Sequence, residues 1–321
     1  MVLLRKSLPA IAGVLMCYCN NQPVVKHTGT SEAHTAATQL IILGTLQDGG
    51  SPHAGCTKTC CQKLFTRPDS SRRVVSIGLV DRVNKKTILI EATPDIAGQL
   101  KRLKDFAQST GESPDAIFVS HAHIGHYSGL MFLGREAMNA KRVPVYVKPR
   151  MKRFLEDNGP WCQLVNLNNI EPVALKQGND SVSVGTFLIK VFEVPHRDGF
   201  SETAGFLIKG LSKKVLFIPD IDKWEKWSVR ILDEIKKADY VFIDGTFYSG
   251  KEINNRNIKE IPHPLVSESI KLMDSLPAKE KSKIFFIHLN HTNPLLNNGN
   301  ELKKLREKGY NVAAFGQIFD L

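Results

Sequence analysis

The stretch Ser120-His121-Ala122-His123-Ile124-Gly125-His126-Tyr127-Ser128-Gly129 decides how this chain is read. It follows Ala116-Ile117-Phe118-Val119, an apolar run of the length expected for a short buried strand. Three of the chain's ten histidines therefore fall within six residues, in the turn past a strand end, where a rigid scaffold presents side chains to a cleft. His121 and His123 lie two apart and point the same way in an extended segment, while His126 faces a neighbouring position. Neutral imidazole is a ready ligand for zinc, manganese or iron. A lone histidine is usually a core or surface residue, but three at this spacing point to a metal site.

Working outward, the same arrangement recurs. Ser183 to Glu193 alternates apolar residues as one strand and leads through Val194-Pro195 to His196. Lys214 to Ile218 runs into Pro219-Asp220-Ile221-Asp222, Tyr240 to Ile243 into Asp244-Gly245-Thr246, and Ile284 to Ile287 into His288. Histidines or aspartates thus follow apolar strands at His121, His196, Asp220, Asp244 and His288. Strand-end loops converging on one edge are how α/β scaffolds assemble sites, so the five suggest a shared cleft.

The folded part starts with a strand at Gln39 to Gly44, and Val74–Val80 with Thr87–Ala92 forms a hairpin around Asn84-Lys85-Lys86. A helix is predicted from Ile96 to Ser109, with Ile96, Leu100, Leu103 and Phe106 on one side. Asp95 has two open roles, holding the metal loop or capping this helix. Leu130 to Met138 and Leu232 to Lys237 are predicted helical, and Val143 to Val147 and Ala204 to Lys209 are predicted strands.

Between the first strand and the hairpin runs Thr45-Leu46-Gln47-Asp48-Gly49-Gly50-Ser51-Pro52-His53-Ala54-Gly55-Cys56-Thr57-Lys58-Thr59-Cys60-Cys61, made a loop by its glycines and proline. Three thiols in six residues suit three thiolate ligands of a tetrahedral zinc, with a fourth ligand from elsewhere. A disulfide with one thiol left over is the competing reading. Cys162, beside Trp161, reads as a buried or edge thiol.

The remaining composition is that of a globular protein, at 42% hydrophobic and 23% charged over 321 residues. The net charge of +11 is spread through scattered lysine pairs, with no basic run interleaved with aromatics, so nothing signals nucleic-acid binding. A mild attraction for anionic small molecules is the secondary implication. At the N-terminus Arg5 and Lys6 precede an apolar run from Leu8 to Met16, too short to span a bilayer as a mature helix. Residues 1–19 therefore read as an export signal. Cys17 or Cys19 is a candidate for a lipid anchor, although Met16 and Tyr18 stand where a small residue is preferred. The implied location is periplasmic or membrane-anchored, with residues 20–38 a flexible tether and residues 39–321 one domain.

From Gln39 onward the chain resembles the metallo-β-lactamase superfamily, through its likeness to the His-x-His-x-Asp-His signature. Two groups within it stand out. Leu43-Gly44-Thr45 with the cysteine loop, Asp244-Gly245-Thr246-Phe247 and Ile287-His288-Leu289-Asn290-His291-Thr292-Asn293-Pro294 resemble the pyrroloquinoline quinone synthesis protein B group. The cysteine loop and the two late histidines also resemble the phosphoribosyl cyclic phosphodiesterases of phosphonate breakdown. The resemblance implies an α/β, four-layer αβ/βα sandwich. It implies a first active-site metal on His121, His123 and His196, and a second on His126, Asp220 and His288, with Asp220 bridging. It implies a structural zinc on Cys56, Cys60, Cys61 and His291, and His263 as a general acid near the leaving group. The active-site ions would be one or two of zinc, manganese or iron. Gly125 departs from the pattern, because it stands where the family has aspartate. Glycine offers no ligand atom, which weakens the second site and leaves a mononuclear centre open. Asp95 or Asp222 would orient the imidazoles from behind.

Three functions follow as expectations. The first is a metal-dependent hydrolase that activates water for attack on a phosphodiester or other ester-type small molecule. The second is a cofactor-biosynthesis enzyme like the quinone synthesis group, with iron and oxidative chemistry. The third is a non-catalytic, exported metal-binding lipoprotein. The protein B group often lacks some of the metal-site histidines, and their presence here favours the hydrolase. β-Lactam hydrolysis fits poorly with the cysteine loop and the Asp244-Gly245-Thr246 segment.

Overall fold

Apolar side chains occupy both faces of most strands, so each sheet must be covered on two sides. The computed structural model, which describes residues 36–176, 180–197, 199–252, 260–297 and 299–321, meets that demand with two sheets face to face and helices outside. The strands are β1 (Thr38–Gly44), β2 (Ser76–Asp81), β3 (Lys86–Ile90), β4 (Ala116–Phe118), β5 (Val143–Val147), β6 (Ile170–Ala174) and β7 (Ser181–Val184). They continue as β8 (Phe187–Glu193), β9 (Ala204–Lys209), β10 (Lys214–Ile218), β11 (Tyr240–Asp244), β12 (Ile284–Ile287), β13 (Asn311–Val312) and β14 (Ile318–Asp320). One sheet has the order β14-β1-β2-β3-β4-β5-β6 and the other β13-β12-β11-β10-β9-β8-β7.

Three cores follow from the two-residue period. Leu40, Ile42, Ile77, Phe118, Phe206, Phe217 and Phe242 fill the space between the sheets. Ile41, Leu43, Leu89, Ile117 and Val145 point the other way, onto Ile96 and Leu103 of the helix Ile96–Ala107 and Met151 and Leu155 of the helix Pro149–Asp157. On the far side Leu216, Ile218, Val241, Ile243 and Phe286 meet the helices Val266–Leu272 and Asn300–Glu307. The result is the four-layer αβ/βα sandwich.

Both sheets are mixed, and the mixing places the site. β3 to β6 are mutually parallel, as are β10 to β13. The carboxyl ends of β3, β4, β10, β11 and β12 carry Glu91, His121, Asp220, Asp244 and His288, Asp244 as the last residue of β11 and the others just beyond their strands, at the same edge of the sandwich. Ligand-binding loops of parallel sheets lie beyond those ends.

Several local expectations are corrected. The expected strand from Ser183 to Glu193 is the hairpin of β7 and β8, because Gly185 adopts a left-handed φ of 58° that an alternating apolar pattern does not reveal. Leu130 to Met138 is a 3-10 helix, Ser128–Leu133, ended where Gly134 becomes extended. The helix expected to end at Ser109 closes at Ala107, where Gln108 is left-handed. Thr38 is not tether: it opens β1, fully buried, its carbonyl accepting from Leu321 N at 2.9 Å. Asp95 precedes the helix Ile96–Ala107 without capping it; its Oδ2 accepts from Val74 N at 2.7 Å, so it anchors the approach to β2 and no imidazole. The export segment with Cys17 and Cys19 lies outside the described residues. No helix among the described residues is long and apolar enough to cross a membrane.

Phe118 stacks on Tyr146 with centroids 4.7 Å apart, meets Phe206 edge-on at 6.3 Å, and ends the strand that leads into the histidine turn. Phe118→Ala is expected to lower the unfolding free energy by about 3–5 kcal/mol in urea denaturation. A loss below about 1 kcal/mol would show that the inter-sheet core does not hold this strand.

Candidate metal centre

β4 leads into His121 and the extended His123, and the short helix Ile124–Tyr127 turns His126 inward behind them. His121 Nε2 and His123 Nδ1 are 2.8 Å apart. His196, carried past β8, lies with its ring 5.3 Å from His121 and 5.0 Å from His123. His288 leaves β12 with a left-handed φ of 62° and brings its ring to 5.3 Å from His126. All of these are buried except His123, whose side chain is 23% exposed and marks the open side.

Asp220 is the hub. Its Oδ2 lies 3.1 Å from His196 Nε2, 3.4 Å from His121 Nε2, 3.8 Å from His126 Nε2, 3.9 Å from His123 Nδ1 and 4.0 Å from His288 Nε2. Burial opposes its charge, yet the surrounding histidines, His196 first, hold its carboxyl well below the usual range, so it is a carboxylate. One oxygen facing both histidine groups has the placement of a bridging ligand, as the sequence resemblance implied.

The position of Gly125 has a specific cause. A Cβ at residue 125 would fall 2.2 Å from Asp48 Oδ1 and 2.5 Å from Asp48 Cα. Asp48 fills the space from the other side, reaching in from the loop after β1, with Oδ1 3.0 Å from His126 Nε2 and 3.7 Å from His288 Nε2. His126 and His288 hold its carboxyl well below the usual range despite burial. The expectation of a centre left one donor short at Gly125 is therefore corrected, since a carboxylate occupies that corner. Sequence reasoning missed Asp48, although it too lies just past a strand, four residues beyond Gly44.

The outer polar groups set the ring orientations. His196 Nδ1 contacts Asp222 Oδ1 at 3.1 Å, the role expected of Asp222, and Lys226 Nζ holds the other oxygen at 2.7 Å. Ser120 Oγ meets His121 Nδ1 at 2.9 Å and Thr246 Oγ1 meets His288 Nδ1 at 2.8 Å. Glu91, fully buried at φ 74°, lies 3.4 Å from His126 Nδ1 and accepts from Ser120 N. Burial disfavours charge on His126, but Glu91 and Asp48 raise its pKa well above the usual value. Glu91 and Thr246 were also missed; a glutamate closing the apolar run of β3 was the available signal. His263 sits among these groups, with Nδ1 2.9 Å from Asp244 Oδ2 and 3.1 Å from Asp220 Oδ1.

The donors pass a direct test of fit to a cation. Asp48 Oδ1, His126 Nε2, His196 Nε2, His288 Nε2 and Asp220 Oδ1 are buried and close together, yet each lacks a hydrogen bond of acceptable geometry. Burying polar atoms without a partner costs roughly 1–3 kcal/mol apiece, and cations bound among the donor sets would offset much of that cost. His121, His123, His196 and Asp220 form one donor set and Asp48, His126 and His288 another.

The thiols make a separate site. Cys56 and Cys60 sulfurs are 3.9 Å apart, as are those of Cys60 and Cys61, and His291 Nδ1 lies 3.6 Å from Cys60 and 3.3 Å from Cys61. These are far beyond a disulfide bond length of about 2.05 Å. They match the edge of about 3.8 Å that a zinc tetrahedron with 2.3 Å sulfur bonds has. Burial and the adjoining thiols push Cys60 up to about 12, so its thiolate forms readily only beside a cation. Burial, then the charges of His53 and Lys58, lowers His291 to about 4, leaving a neutral ring ready to ligate. The disulfide reading is set aside: Cys56, Cys60, Cys61 and half-buried Cys162 are all free thiols.

Two donor sets that both face the Asp220 carboxylate, at the carboxyl ends of a two-sheet sandwich, define a metallo-β-lactamase-type protein. The sequence profile of the β-lactamase superfamily domain matches residues 86–289, and the chain belongs to that family. It is 24% identical over 311 residues to the coenzyme PQQ synthesis protein B of Klebsiella pneumoniae, covering 88% of this chain and 98% of that protein. The Gluconobacter oxydans protein of the same name is 24% identical over 309 residues, covering 88% and 98%. Among solved structures, zinc-bound PqqB from Methylobacterium extorquens superposes with a TM-score of 0.70 at 22% identity, over 88% of this chain and 100% of that one. A diphosphatase of the PhnP family superposes with a TM-score of 0.60 at 20% identity, over 88% and 96%.

Asp222→Ala is expected to weaken metal binding at the His121 set about 10–100-fold, because the ring of His196 loses its orienting carboxylate. Competition with a chromophoric chelator measures this, and an unchanged affinity would show that Asp222 does not position the ring. His291→Ala is expected to lose the thiolate zinc while the ion at His121, His123 and His196 stays, as read by elemental analysis.

Proposed function

We propose that this protein is a metal-dependent hydrolase acting on a phosphodiester or other ester-type small anionic molecule. The observation that carries the reading is Asp220 Oδ2 within 4.0 Å of five imidazole nitrogens, flanked by orphaned donors on either side. A bound cation there would lower the pKa of a water from 15.7 to about 7 and polarise the oxygen under attack. His121, His123, His196 and Asp220 would hold one ion, and His126, His288, Asp48 and Asp220 a second.

The chain's own groups supply the rest. Asp244 and Asp220 overcome burial and raise His263 to about 10, so its ring carries a proton at neutral pH. Placed beside the hub carboxylate, that proton is available to a leaving oxygen, the general-acid role expected of His263. Glu91, Ser120, Thr246 and Asp222 keep the imidazoles oriented without touching substrate. The partly exposed His123 and exposed Ile124 lie on the side where a small substrate would enter, and the exposed Arg197, beside His196, suits an anion.

A cofactor-maturation role competes with this reading, because relatives named for PQQ synthesis align over 98% of their own length. Oxidative chemistry would consume oxygen, whereas hydrolysis proceeds equally well without air. The N-terminal charge and apolar run support export, with lipid attachment at Cys17 or Cys19 as the finer proposal.

The test is a screen of zinc-, manganese- and iron-loaded protein on cyclic and linear phosphodiesters under anaerobic conditions. Turnover in at least one metal form is expected, with His263→Ala lowering kcat about 10²–10⁴-fold and leaving metal content intact. Loss of metal in His263→Ala would make His263 a ligand instead of an acid. Inactivity towards all esters with metal-dependent oxygen uptake would overturn the hydrolase reading.

A further inference from the structure

Asp48 and the three cysteines belong to one loop. Residues 45–61 leave β1, pass the active centre at Asp48 and finish at the thiol cluster, at the start of the helix Thr59–Thr66. Two separate fastenings hold that loop. At one end Gln47 N donates to Leu289 O at 3.0 Å and Leu289 N to Thr45 O at 2.8 Å, which ties Asp48 beside the segment carrying His288 and His291. At the other, His53 N donates to Cys61 Sγ at 3.2 Å, and the His53 ring stacks on His291 with centroids 4.5 Å apart. Gly49, next to Asp48, packs so closely on the His53 ring that a Cβ there would fall 2.4 Å from it. His288 and His291, three residues apart, therefore serve two different donor sets, and the loop that completes each set is the same.

We infer that Asp48 is the acidic ligand of the second active-centre ion in place of residue 125, and that zinc at the thiolate site holds the Asp48 loop in position, so that filling the second ion's place depends on the thiolate site. This rests on the metal-centre reading above. Gly125 is then required not for flexibility but for room, since Asp48 backbone and carboxylate pass through the volume any side chain at 125 would occupy. Occupancy of Cys56, Cys60, Cys61 and His291 by zinc restrains the loop from behind through His53. The pair of sites is thereby ordered: the thiolate zinc comes first, and the second active-centre ion follows.

Metal per chain after exhaustive dialysis tests this, with the thiolate site followed independently by the sulfur-to-cobalt charge-transfer absorption of cobalt-loaded protein. Wild type is expected to hold three ions, and the near-isosteric Asp48→Asn two, with the thiolate band unchanged. Gly125→Ala removes no ligand, and it too is expected to hold two, because the added methyl displaces the Asp48 loop. Titrating the thiols of folded wild type with an organomercurial is expected to release two ions, but only one from Asp48→Asn. Thermal melting checks that each variant is folded. Three ions in Asp48→Asn, or two in wild type, would overturn the ligand assignment while leaving the metal centre standing. Release of a single ion from wild type by the mercurial would overturn the coupling. A wild type holding only the thiolate ion would overturn the metal-centre reading itself.

Discussion

Everything about the functional edge depends on burying one carboxylate, that of Asp220, among six imidazoles. In an interior of low dielectric such an arrangement is unfavourable unless charge is balanced and every donor finds a partner. Contacts with Ser120, Thr246 and Asp222 hold the outward-facing nitrogens of His121, His288 and His196, and Glu91 lies 3.4 Å from that of His126. The inward-facing nitrogens of His126, His196 and His288 converge on Asp220 and Asp48 without a hydrogen bond of acceptable geometry. The fold tolerates this because the strand ends that carry these residues are fixed by the inter-sheet core, not by the site.

That division of labour explains why so much was legible in the sequence. The strands announce themselves as apolar runs, and the residues immediately after them are the polar groups the scaffold presents. His121, His123, His126, His196, Asp220 and His288 were read in this way, and the structure brings all six together. Cys56, Cys60, Cys61 and His291 converge likewise, as does His263, held between two carboxylates. Asp222 was correctly paired with an imidazole, but Asp95 was not; its carboxylate bonds to the backbone of Val74, a long-range choice no local pattern encodes.

The misses share a physical origin. Gly125 looked like a lost ligand because a sequence motif records which residue is absent and not what enters the empty volume. Asp48 enters it from a loop 77 positions earlier in the chain, brought there by pairing between that loop and the segment after β12. Glu91 and Thr246 act through the far nitrogens of ligating rings, a placement set by ring orientation alone. The hairpin at Gly185 was missed because its only sequence trace is a one-residue change of phase, from Val182 and Val184 to Phe187, Ile189 and Val191.

The most direct measurement is anomalous diffraction at the zinc edge from crystals of zinc-loaded protein. A centre organised around Asp220 gives three peaks per chain, one among Cys56, Cys60, Cys61 and His291 and two flanking the Asp220 carboxylate, the second within bonding distance of Asp48. A single peak at the thiolates, with the histidines around Asp220 hydrogen-bonded to one another or to water, would contradict it.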